Sequence, residues 1–241
     1  KARLLQGMLT QAFDPDNAVK GLKDLYKGTT SLWKRYTLFP FSEYHFRNMV
    51  GDYWNMWMQG MNPTEAVADS ASSFLLLRGK SPEMRLGTLG KVNGVDVLKA
   101  ARDRGVVGTG QYGEILSDMA RSGTAPKGGV LETAKRQLYD LEWATKKAEA
   151  LESHRRLSFF INRLKKGDNF DEAADAVMKT LYDYTDLSEV EKGIRNYGVP
   201  FYSWYRKNIP AQIRNLVQKP GKVAVLPKTK AFVEGDSSVP E

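Results

Sequence analysis

No glycine or proline interrupts residues 131–166, and this stretch limits what the chain can fold into more than any other. Its apolar residues fall near one stripe of a helix, and its other face is charged. The stripe contains Leu131, Ala134, Leu138, Leu141, Ala148, Leu151, Phe159 and Leu164. Such a helix would be roughly 50 Å long at 1.5 Å per residue. The pattern predicts an all-α fold, an elongated multi-helix assembly around one long helix.

Capping residues predict where two shorter helices begin. Asn62 and Asn169 each precede a glutamate by three residues, Glu65 and Glu172. An asparagine cap and a glutamate at this spacing can satisfy each other's backbone amides at a helix start. Gly79 is a suitable left-handed residue for the end of the first of these helices.

Residues 43–59 predict a helix that is aromatic and rich in methionine nearly all round. Its apolar residues are Tyr44, Phe46, Met49, Val50, Tyr53, Trp54, Met56, Trp57 and Met58. A helix of this kind needs burial on most of its sides. A central core helix is the favoured interpretation, and a part in a protein–protein interface, where Trp, Tyr and Met are enriched, is the alternative. Stacking on nucleic-acid bases is less favoured, since Arg47 is the only arginine or lysine within the helix.

The aromatic stretch 182–210 predicts a docking element. Two prolines bracket a short helical segment at 200 and 210, and its apolar face is expected to bury against the long helix or the 43–59 helix. Three residues form this face: Phe201, Trp204 and Tyr205.

Glycine recurs throughout residues 79–130, which predicts an irregular connector or arm with short helical pieces at 94–104 and 111–121. From Pro220 onward, Pro, Gly, Ser and alternating charges predict an extended tail. The chain thus divides into an aromatic-rich helical region (1–78), a glycine-rich connector or arm (79–130), a long helix with a short-helix docking region (131–219) and an extended tail (220–241).

Composition excludes several kinds of functional site. The chain has no cysteine, which rules out a disulfide scaffold and thiolate zinc sites, and its two histidines argue against a histidine-rich metal site. Glu149, Glu152, His154 and Arg155 could form an acid–base site, but a helix–helix salt-bridge layer is the favoured interpretation. The loop 105–110 lacks the Gly-Lys-Ser/Thr ending of a phosphate loop. The sequence therefore predicts no enzyme, no cofactor and no metal site.

Two segments carry a resemblance to a known family. One is Phe39-Pro40-Phe41 with the aromatic helix that follows, and the other comprises residues 184–192 and the proline–aromatic–Trp–Arg-Lys-Asn-Pro run at 199–210. Both resemble segments of very large internal virion, DNA-ejection or polyvalent proteins of tailed bacteriophages. The resemblance covers residues 35–78 and 140–222. Those proteins combine enzyme domains, such as lytic transglycosylases or proteases, with long helical regions, and a start at Lys1 fits a region of such a chain.

The resemblance implies a non-enzymatic structural component of the virion. It implies a helical segment that packs against portal, tail or its own copies and assists genome delivery. The protein would be made in the host cytoplasm and reside in the virion interior or the neck and tail. The expected docking residues are Phe41, Trp54, Trp57, Phe201, Trp204 and Tyr205.

The alternative is a basic nucleic-acid-binding helical module. The formal net charge of +8 is consistent with an acidic partner. The candidate phosphate contacts are Lys146, Lys147, Arg155, Arg156, Lys165, Lys166, Arg206 and Lys207. Solvated helix faces and salt-bridge partners would account for the same residues. No stretch approaches the roughly 20 apolar residues of a transmembrane helix.

Overall fold

The structure is a computed structural model. It describes residues 19–20, 42–108, 131–183, 187–188, 190–191, 193–194, 202–225 and 227–229. The described elements are α1 (Ser42–Met58), α2 (Pro63–Leu77), β1 (Glu83–Leu86), β2 (Gly90–Asn93), α3 (Gly94–Asp103), α4 (Leu131–Lys165), α5 (Phe170–Thr180), α6 (Tyr202–Gln218) and α7 (Pro220–Val223). The described part of the chain is therefore mostly helical, as predicted, with one small sheet.

The core forms around the second half of the long helix α4, whose predicted span of 131–166 is confirmed to within one residue. Leu157, Phe159, Phe160, Ile161 and Leu164 are fully buried there. Three consecutive apolar positions, 159–161, cover more than one face of a helix, so this part of α4 is enclosed by neighbours. Its neighbours are α2 along one side, with α5, α3 and the β1–β2 hairpin around the rest.

Both capping predictions are confirmed. The side chain of Asn62 accepts a hydrogen bond from the Glu65 amide at 2.9 Å, and the Glu65 carboxylate accepts one from the Asn62 amide at 3.0 Å. Asn169 and Glu172 form the same reciprocal box at the start of α5. Gly79 has a φ of 77°, the left-handed conformation predicted after α2.

The predicted irregular connector is wrong for residues 79–108, since this part is ordered structure that packs into the core. β1 and β2 pair antiparallel, from Glu83 opposite Asn93 to Leu86 opposite Gly90. Glycines at 87 and 90, with φ of 37° and 72°, permit the tight turn between the strands. The predicted short helix at 94–104 is confirmed as α3. Residues 109–130 lie outside the described residues, so the second predicted piece does too.

The C-terminal segment also differs from the prediction. α6 is one helix that continues through Pro210, whereas the sequence predicted a short helical segment bracketed by prolines at 200 and 210. α7 begins with Pro220 at its first turn, so residues 220–223 are helical and the extended tail is wrong there. Residues 230–241 lie outside the described residues. The four segment boundaries inferred from the sequence stay predictions.

Candidate docking surfaces

Helix α6 docks on α1, as predicted, but it does so through polar side chains. Gln212 accepts a hydrogen bond from the Trp54 indole nitrogen at 3.3 Å and donates one to the Asn55 side chain at 3.0 Å. Asn208 accepts a hydrogen bond from the Tyr182 hydroxyl at 2.9 Å. Burial raises the pKa of Tyr182 to about 12, so this hydroxyl stays a donor at neutral pH. These hydrogen bonds fix which face of α6 meets the protein.

Two lysines close the C-terminal end of α1. Lys219 Nζ donates to the Met58 carbonyl at 2.6 Å, and Lys222 Nζ donates to the Trp57 carbonyl at 2.8 Å. Lys222 Nζ also lies 5.2 Å from the centroid of the Trp57 ring. Cations at a helix C-terminus satisfy carbonyls that have no partner within the helix. Burial, and then the neighbouring Lys222, lower the pKa of Lys219.

A neighbouring face of α6 is apolar and exposed. We call this face the α6 stripe, and it consists of Tyr205, Ile209, Ile213, Leu216 and Val217. Their exposed fractions run from 45% for Tyr205 to 75% for Val217. The predicted burial of Tyr205 is therefore wrong, because the polar face of α6 faces α1 instead. Trp204 is half-buried and lines a cavity of about 320 Å³ with Trp54. Phe41 and Phe201, two other predicted docking residues, lie outside the described residues.

A second apolar surface lies between α1 and α2. It encloses a cavity of about 420 Å³, and we call it the α1–α2 groove. Its apolar lining consists of Tyr53, Met56, Trp57, Met61, Pro63, Ala66 and Val67. Phe46 and Val50 extend this surface toward the start of α1, at the same helical spacing as Tyr53 and Trp57, and both are at least half exposed. Of the two α1 tryptophans predicted for docking, Trp57 lies on this surface and Trp54 faces α6.

An ionic cluster lies in the interior where α1, α4 and the end of α5 meet. Arg155 Nε contacts the Asp52 carboxylate at 2.6 Å, and Arg156 Nε lies 3.4 Å from the Glu152 carboxylate. Burial raises the pKa of Asp52, and the Arg155 guanidinium acts in the opposite direction. Arg156 is 1% exposed.

The carbonyls of Leu181 and Tyr182, just beyond α5, accept hydrogen bonds from the Arg156 guanidinium. Tyr182 has a φ of 62°, which ends the helical path just beyond Thr180, the last residue of α5. Arg155 and Arg156 thus hold buried carboxylates and carbonyls. The prediction of Arg156 as a phosphate contact is wrong, because burial keeps its guanidinium away from external ligands. Arg155 lines the cavity of about 320 Å³, and its pairing with Asp52 argues against a phosphate contact there.

Three of the other six candidate phosphate contacts also hold acidic partners. Lys165 pairs with Asp69 at 2.5 Å, and Lys166 with Glu65 at 2.9 Å. Arg206 pairs with Glu191. The remaining candidates are Lys146 and Lys147, which are exposed, and Lys207, which is half-exposed.

The residues of the candidate acid–base site do not converge. Glu152 faces Arg156, whereas His154 Nδ1 lies 2.7 Å from the Ser73 hydroxyl. Ser73 is fully buried, and the Ser70 and His154 carbonyls are also within reach of its single hydroxyl proton, so its hydroxyl joins α2 to α4. Burial lowers the pKa of His154, which keeps the imidazole neutral. This arrangement favours the salt-bridge interpretation of the cluster.

The described residues contain no group of three or more His, Cys, Asp or Glu side chains arranged to hold a metal ion. Within the same part of the chain, none of the helices combines the length and apolar character needed to cross a bilayer.

No protein-family model, curated protein or solved structure matches the chain.

Proposed function

We propose that this chain is a non-enzymatic structural component of a bacteriophage virion. It is a helical segment of an internal or DNA-ejection protein that packs against portal, tail or further copies of itself and assists genome delivery. The proposal rests on the resemblance of residues 35–78 and 140–222 to such proteins. The observation that carries it is the α1–α2 groove, an apolar surface that the described residues leave uncovered.

The residue types in the α1–α2 groove suit a protein partner. Aromatic residues are enriched at the centres of protein–protein interfaces, and Tyr53 and Trp57 provide them. Val67 is 73% exposed on one wall, and Phe46 is 61% exposed where the surface continues along α1. Soluble monomers rarely leave contiguous apolar patches of this kind uncovered. A helix laid into the groove would bury these side chains together.

The polar groups near this surface serve the fold. Tyr53 OH is within 2.9 Å of Ser70 Oγ, which in turn lies 3.4 Å from Ser158 Oγ on α4. These contacts join the two walls of the groove to the core helix. The groove therefore presents a rigid apolar surface, which favours docking since little conformational entropy is lost on binding.

The ion pairs argue against the nucleic-acid alternative. Five of its eight candidate residues hold acidic partners, namely Arg155, Arg156, Lys165, Lys166 and Arg206. Binding to phosphates would have to break these pairs, two of which are buried, and breaking buried pairs is strongly destabilising.

The test of the proposal is incorporation into phage particles. Val67→Glu places a charge in the α1–α2 groove, and Val95→Glu on α3, where Val95 is 55% exposed, is the matched control. We expect wild type and Val95→Glu to be recovered in purified particles in equal amounts, measured by quantitative mass spectrometry. Val67→Glu should be recovered in clearly lower amounts. Absence of the wild-type chain from particles would contradict the function, and equal recovery of Val67→Glu would contradict the role of the groove.

A further inference from the structure

The exposure of the α6 stripe follows from how α6 is held. Its inward face carries Asn208, Gln212 and Lys219, each in a hydrogen bond to another part of the protein. Turning α6 to bury the stripe would break these bonds and leave Trp54 and Tyr182 without their partners. Polar groups deprived of partners inside a protein are costly. The helix is therefore fixed with its apolar side outward.

The α6 stripe forms a convex ridge along α6, and the ion-paired Arg206 lies within its arc. At 100° per residue, its five positions span an arc of about 120° and three turns of helix. The side chains are a tyrosine at one end and four aliphatic residues after it. A rigid protein partner would need a complementary groove for such a ridge, whereas a fluid lipid interface accommodates it directly.

The charge of residues 202–229 indicates the kind of partner surface that α6 and α7 fit. Residues 202–229 contain six basic residues and no acidic residue. Lys219 and Lys222 donate to neutral carbonyls, so their charges are not compensated by these contacts. Arg214 and Lys228 are exposed, while Arg206 is paired with Glu191. A second copy of this face would bring like charges together, which is unfavourable, so the segment fits an anionic surface.

We propose that α6 and α7 form a membrane-surface site for anionic lipids. The α6 stripe inserts at the boundary between headgroups and acyl chains, and the exposed basic residues contact lipid phosphates. The helix lies in the plane of the surface, and Tyr205 sits at the level where aromatic side chains are enriched in membranes. The interaction is independent of the α1–α2 groove.

Vesicle flotation tests this site with the full chain. We expect binding to phosphatidylcholine vesicles that contain about 30% phosphatidylglycerol, and little binding to pure phosphatidylcholine, because the site needs anionic headgroups. Ile213→Gln with Val217→Gln should weaken binding about tenfold or more, since the inserted apolar area is removed. Arg214→Gln with Lys228→Gln should weaken it and reduce its salt dependence. Val67→Gln should leave it unchanged. All these residues are exposed, so thermal unfolding should confirm intact folding.

Fluorescence locates the contact. Because the chain has no cysteine, Val217→Cys can carry a single environment-sensitive dye, with Val95→Cys on α3 as the control. We expect a blue shift with anionic vesicles at position 217 and none at 95. The proposal is overturned if the folded protein ignores anionic vesicles, binds neutral ones equally, or binds unchanged after Ile213→Gln with Val217→Gln. Binding of an acidic helical peptide in place of vesicles would also overturn it, in favour of a protein partner. Loss of particle incorporation in Val67→Glu with intact vesicle binding would separate this site from the proposed function.

Discussion

Replacing Arg156 tests whether the ionic cluster is a structural centre of the fold. The guanidinium is 1% exposed and contacts the Glu152 carboxylate together with the carbonyls of Leu181 and Tyr182. Arg156→Met keeps much of the volume but leaves a carboxylate and two carbonyls without their partner. Each neutral group left unsatisfied costs about 1–3 kcal/mol, and removing one member of a buried pair costs about 3–5 kcal/mol. These losses overlap, so we expect Arg156→Met to lower the free energy of unfolding by about 3–5 kcal/mol.

Glu152→Gln is the informative partner variant. Its loss should be smaller, about 1–2 kcal/mol, because Arg156 keeps both carbonyl acceptors. The double variant should lose less than the sum of the two single variants, since removing Arg156 no longer strands a charge. Urea unfolding followed by circular dichroism gives all three values. A loss below about 1 kcal/mol for Arg156→Met would refute the reasoning, because surface arginines typically contribute no more than that.

Two further predictions concern α2 and the hairpin. The pKa of Glu65 is lowered mainly by its hydrogen bond from Lys166, so the stabilisation it provides is present above its ordinary pKa of 4.5 and is lost as pH falls through the lowered value. Urea titrations from about pH 7 to about pH 3 should show a dependence of the unfolding free energy on pH that Glu65→Gln reduces. An unchanged dependence would count against the lowered pKa. Gly90→Ala should cost about 1–3 kcal/mol from backbone strain alone, because its φ is 72° and its Cβ would meet open space. Gly87→Ala should lower the free energy of unfolding by about 1–3 kcal/mol more than Gly90→Ala, because its Cβ would lie 2.6 Å from the Leu164 carbonyl. Thermal or urea unfolding measures both losses, and equal losses would contradict this contact.

The positions of helices can be predicted from the sequence where contacts between residues close in sequence determine them. Asn62 with Glu65 and Asn169 with Glu172 mark helix starts through contacts within three residues, and the structure contains both boxes. The absence of glycine and proline over 131–166 predicts α4 because nothing in that stretch disfavours a helix. These features depend on residues close together in the sequence, so they can be predicted without knowledge of the fold.

The sequence does not predict the β1–β2 hairpin because its local signal is short and ambiguous. β1 has four residues, and its alternation rests on Met84 and Leu86 alone. Glycine at 87 and 90 predicted irregular backbone, whereas in the structure these glycines supply the positive φ that the turn uses. The close approach of Gly87 to α4 is a tertiary contact between residues far apart in sequence.

The docking surfaces cannot be predicted without the fold for a similar reason. Either face of α6 could have been buried, and the aromatic residues favoured the wrong one. The deciding contacts are the hydrogen bond that Asn208 accepts from Tyr182, just beyond α5, and the one that Gln212 donates to Asn55 on α1. Arg155 and Arg156 look like a surface pair in sequence, and only the positions of Asp52 and Glu152 reveal them as interior groups.

Photo-crosslinking in assembled particles tests the central claim most directly. Val67→p-benzoylphenylalanine places a crosslinker in the α1–α2 groove, and the same substitution at Val95 is the control, since both side chains are exposed. We predict that position 67 crosslinks to portal, tail or a second copy of the chain in purified virions, and that position 95 does so far less. Equal crosslinking at both positions, or crosslinks at 67 only within its own chain, would contradict the proposal that this surface docks the protein in the virion.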